Sequence, residues 1–476
     1  MPHMSRQRDA LLWLFLLALL LRLAVVLAAA QMPIGLDDMF QYDMLARSLV
    51  AGNGYRWYAQ EDLALIQRYI QMEVPPEYDP RGILTSFRPP LYPAFLALVY
   101  AVAGTGPHRF LAARIAQALL GAGLVPLTAG VGRRLGLDRR ATLWGAGIVA
   151  ITPLLVIYPL ALVTENLYTP LLLASLWALL RAVQQGRRRD FALAGLLCGL
   201  AALTRSVVAL FVPLAALWAW LAAHPRRAGL WPAAALVGCF LAITLPWSLR
   251  NTLLHGKFHF IESALGYDLY QGYHPQSTGT FNWHISLDLV PILDDGERNR
   301  RGMEAFWSFV RADPGRVPYL MVRKAGYLWG LDKRAFIYFY GNNFLGHWPA
   351  AGVAAALAAL CLPFMLVAPA GLAGLVLAAP RRETALAGLL LAYYTGIHML
   401  ILAEDRFHVP LLPLLALLAA GALVERPWRQ ARPWQKGVAL LLVLLLALNW
   451  GCELARDSGL LAALLGPGGN VLYPGY

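Results

Sequence analysis

Charge is scarce in this sequence. Only 14% of its 476 residues are charged, while 59% are hydrophobic and the mean hydropathy is +0.54. Soluble proteins run at about 25% charged, so the three soluble domains that the length would accommodate at roughly 150 residues each are excluded. Cysteine is scarce as well. Cys198, Cys239, Cys361 and Cys452 lie far apart, three of them in apolar runs, with no CxxC or Cys/His spacing. Neither a disulfide nor a structural zinc is expected. No P-loop, Rossmann glycine motif, HExxH or nucleophile elbow occurs, which removes several common soluble chemistries. Nor is there an evident internal repeat of the kind that marks inverted-repeat transporters.

What the chain has instead is a series of apolar runs near the ~20 residues needed to cross a bilayer, such as Leu11–Ala30 and Leu230–Leu249. Backbone groups in lipid must be satisfied within each segment, so the fold class is an all-α polytopic membrane protein. The excess of 40 basic over 27 acidic residues, +13, sits largely in short loops: Arg133-Arg134, Arg139-Arg140, Arg187 to Arg189, Arg226-Arg227, Arg381-Arg382 and Arg426 to Lys436. Cytoplasmic anchoring explains it better than a nucleic-acid partner. The N-terminal run resembles a signal peptide but exceeds the usual apolar core of roughly 7–15 residues, so a retained first span is expected. Loop charges place two long polar segments, 31–88 and 250–347, on the non-cytoplasmic side. The expected plan is a transmembrane module over 1–250 that includes the first external loop, an external segment over 251–347 that shapes the site, transmembrane helices over 348–450 and an external tail over 451–476. Charge parity fails only at 89–104, which reads as short or re-entrant unless one basic loop is misplaced. The aromatic content of the second polar segment argues for packing or for lying at the interface, and residues 43–50 read as an amphipathic interfacial helix.

Ionisable residues at membrane depth are the candidates for chemistry. Asp37 and Asp38 follow the first span, where a partly desolvated carboxylate can act as a base; the competing explanation is a helix N-cap. Arg88 precedes Pro89-Pro90 and either holds a phosphate bidentately or snorkels to headgroups. Glu165, after Thr164, and Arg205, between two apolar runs, are either functional or a mutual ion pair. In the Glu404–His408 turn, His408 is expected to be a structural donor, and His398 a buried packing residue. Arg250, Lys257, His259 and Asp294-Asp295 have loop or interface explanations.

Together, Asp38 with Tyr42, Leu45-Ala46, Leu49, Gly52 and Gly54-Tyr55, then Arg88-Pro-Pro-Leu-Tyr-Pro93, Thr164-Glu165-Asn166, Gly199 to Arg205, Leu245-Pro-Trp247 and Arg406-Phe-His-Val-Pro410 resemble bacterial polyprenyl-phosphate-dependent glycosyltransferases of the GT-C class. That group includes the protein O-mannosyltransferases and the lipid A aminoarabinose transferases, of family 39 type. The resemblance spans 10–425. It implies a GT-C fold with about 11–13 transmembrane helices, in a bacterial inner membrane with the active site facing the periplasm. Asp38, Asp37 and Glu165 are implied as catalytic acids, and Arg88, Arg205, Arg406, Tyr42 and Tyr92 as ligands of the donor and its lipid phosphate. Its partners are a polyprenyl-phosphate-linked sugar, a glycolipid, polysaccharide or protein acceptor, and the bilayer, with no nucleic acid. No cofactor is required and no metal is indicated. Met39 stands where an adjacent Glu is usual, so either Asp37 supplies the second carboxylate or a single acid is used. The competing function is a flippase for a lipid-linked sugar.

Overall fold

The computed structural model describes residues 2–222 and 229–473, so the Arg226-Arg227 loop and residues 474–476 lie outside the described residues. It is almost entirely helical, with one two-stranded sheet pairing Arg56 with Leu84 and Trp57 with Ile83. Among the described residues, seven helices are long and apolar enough to cross a membrane, including Arg109–Arg134, Glu165–Gln185, Leu230–His255 and Ala350–Leu377. The bent pair Arg139–Ile151 and Pro153–Leu160 supplies an eighth if it is one span. The chain is a multi-pass membrane protein. The crossing expected near 191–204 falls on the shorter helix Arg188–Ala202, and the segment expected to be short or re-entrant is Leu91–Ala103. At 13 residues, Leu91–Ala103 is too short for a full crossing. Ala350–Leu377 runs unbroken through Pro363 and Pro369.

Small residues set the helix packing, because lipid tails offer no hydrophobic drive between helices and close approach must supply the contact. Gly195 and Gly199, four residues apart, lay Arg188–Ala202 directly on Leu236 and Ile243 of Leu230–His255; a Cβ at either position would collide with them.

The two long polar segments fold against each other. The helix expected over 43–50 begins earlier, at Asp38, and runs to Val50. It buries Met39, Phe40, Tyr42, Met44 and Leu45, so it is packed and not laid on a surface. Phe40, Met44, Tyr55, Trp57 and Phe87 of the first segment form a small core with Ala264 and Leu293 of the second. Asp295 is buried and accepts the Ser86 amide at 2.7 Å, while Arg250 donates to the Thr85 carbonyl at 2.6 Å. These two residues therefore tie the second segment to residues 85–86, just ahead of Arg88.

A buried cation fixes where the first span hands over to that layer. Fully buried Arg114 donates to the carbonyls of Met32, Pro33 and Leu160 at 2.6, 3.0 and 2.9 Å. Arg114→Met leaves those acceptors unpaired, and a loss of about 3 kcal/mol is expected, at roughly 1.5–3 for each hydrogen bond to a charged group less some relaxation. A lowered thermal midpoint in detergent checks this; an unchanged midpoint would contradict the anchoring role.

Candidate active site

The adjacent carboxylates Asp37 and Asp38 have separate roles. Asp37 is the N-cap of the Asp38–Val50 helix, accepting the Met39 amide at 2.9 Å, which satisfies one of the otherwise unpaired first-turn donors. Asp38, the first helical residue, points at two arginines. Its Oδ1 pairs with Arg88 and its Oδ2 accepts from Arg406 Nη2 at 3.0 Å. Met39 turns into the core, so the position where the resemblance leads one to expect a Glu does not face this cluster.

Each arginine is braced by a second partner. Arg88 Nε donates to Gln41 Oε1 at 2.9 Å, and its guanidinium lies 5.1 Å from the Phe87 ring centre and 5.5 Å from that of Tyr42. Arg406 Nε donates at 2.7 Å to buried Glu404, which also pairs with Arg334 at 3.1 Å. Next to them, Arg205 donates to Glu165 Oε1 at 2.6 Å and to Thr164 Oγ1 at 3.1 Å. The Arg205 and Arg406 guanidiniums lie 4.7 and 5.6 Å from the Phe407 ring centre. The mutual ion pair foreseen for Glu165 and Arg205 is present. Asp38, Glu165, Arg88, Arg205 and Arg406 thus gather in one cluster from five separate stretches of chain.

The remaining candidates divide. Tyr42 meets Tyr92 edge to face at 5.0 Å, but Tyr92 is fully buried and its hydroxyl donates to Gln117 at 2.6 Å. Tyr92 supports Tyr42 and presents no free hydroxyl to a ligand. His408 bonds Asp332 at 2.7 Å and the Leu328 carbonyl at 2.6 Å and stacks on Phe364, and His398 is buried against the Tyr394 carbonyl at 2.8 Å. Both are structural.

Four residues escaped the sequence reading as site members: Glu404, Tyr338, Glu262 and Asp268. Tyr338 hydrogen-bonds Asp37. Glu262 accepts from Ser206, and the Ser263 amide donates to the Ser86 carbonyl at 3.0 Å, which brings this stretch beside Arg88. Tyr267 packs edge to face on Phe87. The Asp268 carboxylate makes no hydrogen bond or ion pair among the described residues. For Glu404 the only available signal was its place in the charged turn; the other three sit in a segment of unremarkable composition.

Electrostatics separate the acids. Burial pushes the Asp38 carboxyl up, but the charges of Arg88 and Arg406 outweigh it and hold the group well below the usual carboxylate range. Burial and the neighbouring Asp38 charge push Asp37 up. Burial, reinforced by the negative charge of Glu262, pushes Asp268 up to about 7 against the opposing pull of Arg88.

The helical architecture is the GT-C fold of membrane glycosyltransferases. It matches the archaeal oligosaccharyltransferase AglB from Archaeoglobus fulgidus, in complex with an inhibitory peptide and a dolichol-phosphate, with a TM-score of 0.54 at 14% identity over 93% of this chain and 54% of that one. An oligosaccharyltransferase from the same organism, tethered with an acceptor peptide, matches with a TM-score of 0.53 at 14% identity over 91% and 53%. This chain spans about half the length of those proteins. ArnT from Cupriavidus metallidurans bound to undecaprenyl phosphate is a more distant match, with a TM-score of 0.49 at 16% identity over 94% and 64%, too low to extend the argument. Within the chain, residues 87–249 match the family described as dolichyl-phosphate-mannose-protein mannosyltransferase. That stretch holds Arg88, Tyr92, Glu165 and Arg205; Asp38 and Arg406 lie outside it. A comparison with curated proteins finds no match.

Gly35 lets Tyr338 reach Asp37, since a Cβ at position 35 would run into the Tyr338 hydroxyl. Gly35→Ala is therefore expected to destabilise the protein by about 1–3 kcal/mol, the usual cost of overpacking. Adding Tyr338→Phe removes the clashing oxygen and should restore much of the loss in a thermal double-mutant cycle; strict additivity would contradict the contact.

Proposed function

We propose that this protein is a membrane glycosyltransferase that moves a sugar from a polyprenyl-phosphate donor to an acceptor on the non-cytoplasmic side of a bacterial inner membrane. The observation that carries the proposal is the seating of Asp38 between Arg88 and Arg406. Two guanidiniums already converge on one anion at the edge of the spans, where a phosphate attached to a bilayer-embedded chain would arrive. A donor phosphate offers the same charge with more acceptor oxygens, so it competes with Asp38 for both arginines. The fold supports this reading, as do the family matched by residues 87–249 and the dolichol-phosphate held by the archaeal protein. Its acceptor peptide makes a protein one acceptor class to test, beside glycolipid and polysaccharide.

In the proposed reaction an acceptor oxygen attacks the anomeric carbon in a single inverting displacement. The bond from that carbon to the phosphate oxygen breaks, and the phosphate leaves with the electron pair. Arg88 and Arg406 stabilise the charge that develops on it, and Arg205, held by Glu165, adds to the positive field. The acceptor proton goes to a carboxylate. With no donor bound, Asp38 is too acidic to serve. Once the phosphate draws the arginines away, the opposing charges that depress its pKa are neutralised and Asp38 becomes a competent base, so donor binding switches it on. In this scheme the arginines carry the charge stabilisation that a metal provides in other transferases, so none is required.

Asp268 supports a second assignment of the base, because no cation pairs with its carboxylate and it titrates near neutrality. A base must be ionised to accept a proton, so if Asp268 serves, kcat/KM falls as pH drops through about 7 and Asp268→Asn abolishes that limb. If Asp38 serves, the free enzyme shows no acid limb near pH 7, because Asp38 stays ionised far below it.

Binding of undecaprenyl phosphate and transfer from undecaprenyl-phosphate mannose test the proposal. Arg88→Ala or Arg406→Ala is expected to weaken lipid binding by about tenfold or more, equivalent to 1.4 kcal/mol. Asp38→Asn should bind the lipid at least as tightly as wild type, since it removes the internal competitor, yet lose transfer while remaining folded. Full transfer activity in Asp38→Asn would sink the Asp38 mechanism. Passage of the lipid across vesicles without bond cleavage would favour a flippase.

A further inference from the structure

The Glu165–Gln185 helix is 21 residues long, about 30 Å at 1.5 Å per residue. Its first residue belongs to the arginine cluster, so its last turn lies about one hydrocarbon thickness away. The Arg109–Arg134 helix runs the same way: Arg109 pairs with Asp43 of the Asp38–Val50 helix at 2.7 Å, and Arg133 and Arg134 close its far end. Between these two far ends is an open cavity of about 360 Å³ lined by Gly130, Arg133, Arg134, Trp177 and Gln184.

The lining is cationic and mostly without counter-charge. Among the described residues neither Arg133 nor Arg134 pairs with a carboxylate, while Arg181 at the rim pairs with Asp190 at 3.2 Å. Gln184 bridges the wall, accepting from Arg134 Nη1 at 3.0 Å and donating to the Arg134 carbonyl at 2.7 Å. The nearest acid is Glu383, which accepts from Gln184 at 3.2 Å. The Trp177 ring faces both Arg134 and Arg181, at 5.8 and 5.4 Å. A Cβ at Gly130 would come within 3.4 Å of that ring.

We infer that this cavity binds the phosphate headgroup of an anionic phospholipid, on the membrane face opposite the Asp38 cluster. The chemistry recognised is a phosphate ester, which planar guanidiniums hold bidentately. The position selects a lipid as its source: the cavity opens where two membrane-crossing helices end, the depth at which headgroup phosphates lie and at which an indole sits at the interface. Basic pockets between spans take anionic headgroups in this way. A zwitterionic headgroup is disfavoured, because its ammonium would meet Arg133, Arg134 and Arg181, with Asp190 already paired to Arg181 and Glu383 bonded to Gln184. The inference is independent of the transferase proposal.

Native mass spectrometry of the full chain released from bilayers of equal palmitoyl-oleoyl phosphatidylglycerol and phosphatidylcholine tests it. Wild type is expected to retain phosphatidylglycerol over phosphatidylcholine by about fivefold or more, and Arg133→Gln with Arg134→Gln to bring the ratio near one. Arg133→Lys with Arg134→Lys should keep part of the preference, which separates lost charge from lost fold. Equal retention of the two lipids by wild type, or a preference that survives Arg133→Gln with Arg134→Gln, would overturn the inference. Displacement of phosphatidylglycerol by millimolar inorganic phosphate would assign the cavity to a soluble anion and overturn it as well.

Discussion

The carboxylate of Asp38 ties together stretches of chain that are 50 and 368 residues away in sequence. The physical constraint behind this is the cost of placing arginines where water is scarce, which is met only when each charge has a partner and its remaining donors find acceptors. Arg88, Arg406, Arg334 and Arg205 each pair with one or more of Asp38, Glu404 and Glu165 in a shared array, with Gln41 and Thr164 taking further donors. Removing one acid leaves a neighbouring cation without its partner. The packing of the first polar segment on the second, through Asp295, Ser86 and the aromatic core around Phe87, holds Arg88 at the height that this array needs.

Such an array is stable in the absence of ligand yet open to replacement by one. An internal carboxylate occupies the place proposed for a phosphate, so the cluster avoids exposing unpaired guanidiniums when no donor is bound. In the proposed reaction the same exchange that admits the donor frees a base, which would couple donor binding to acceptor activation without a separate conformational element. Asp268 stands outside the exchange because no cation is bonded to it.

Much of this cluster was legible in the sequence: Glu165 and Arg205 stand out as lone charges between apolar runs, Asp38 and Arg88 as ionisable residues where a span ends or begins, and Arg406 through the motif of its charged turn. Their mutual pairing was not, since nothing local couples residue 38 to residue 406. The Asp37-Asp38 pair was ambiguous between capping and chemistry; one residue of helix register makes Asp37 the cap and turns Asp38 toward Arg88 and Arg406. Tyr92 drew notice through its motif, but its hydroxyl is committed to Gln117, a partner on another helix. Asp268 and Glu262 lie in a segment whose composition resembles any packed polar layer, and only tertiary folding brings them near Arg88. The helical class followed from backbone satisfaction in lipid, whereas the number of spans was blurred by helices such as Leu91–Ala103, which are apolar enough to belong in a membrane but too short to cross it.

The measurement that bears most directly on the central claim is an experimental structure with undecaprenyl phosphate bound. The account predicts phosphate oxygens within hydrogen-bonding distance of both Arg88 and Arg406, the Asp38 carboxylate displaced from at least one of them, and the prenyl chain leaving toward the spans. A phosphate bound elsewhere, with Asp38 still paired to both arginines, would contradict it.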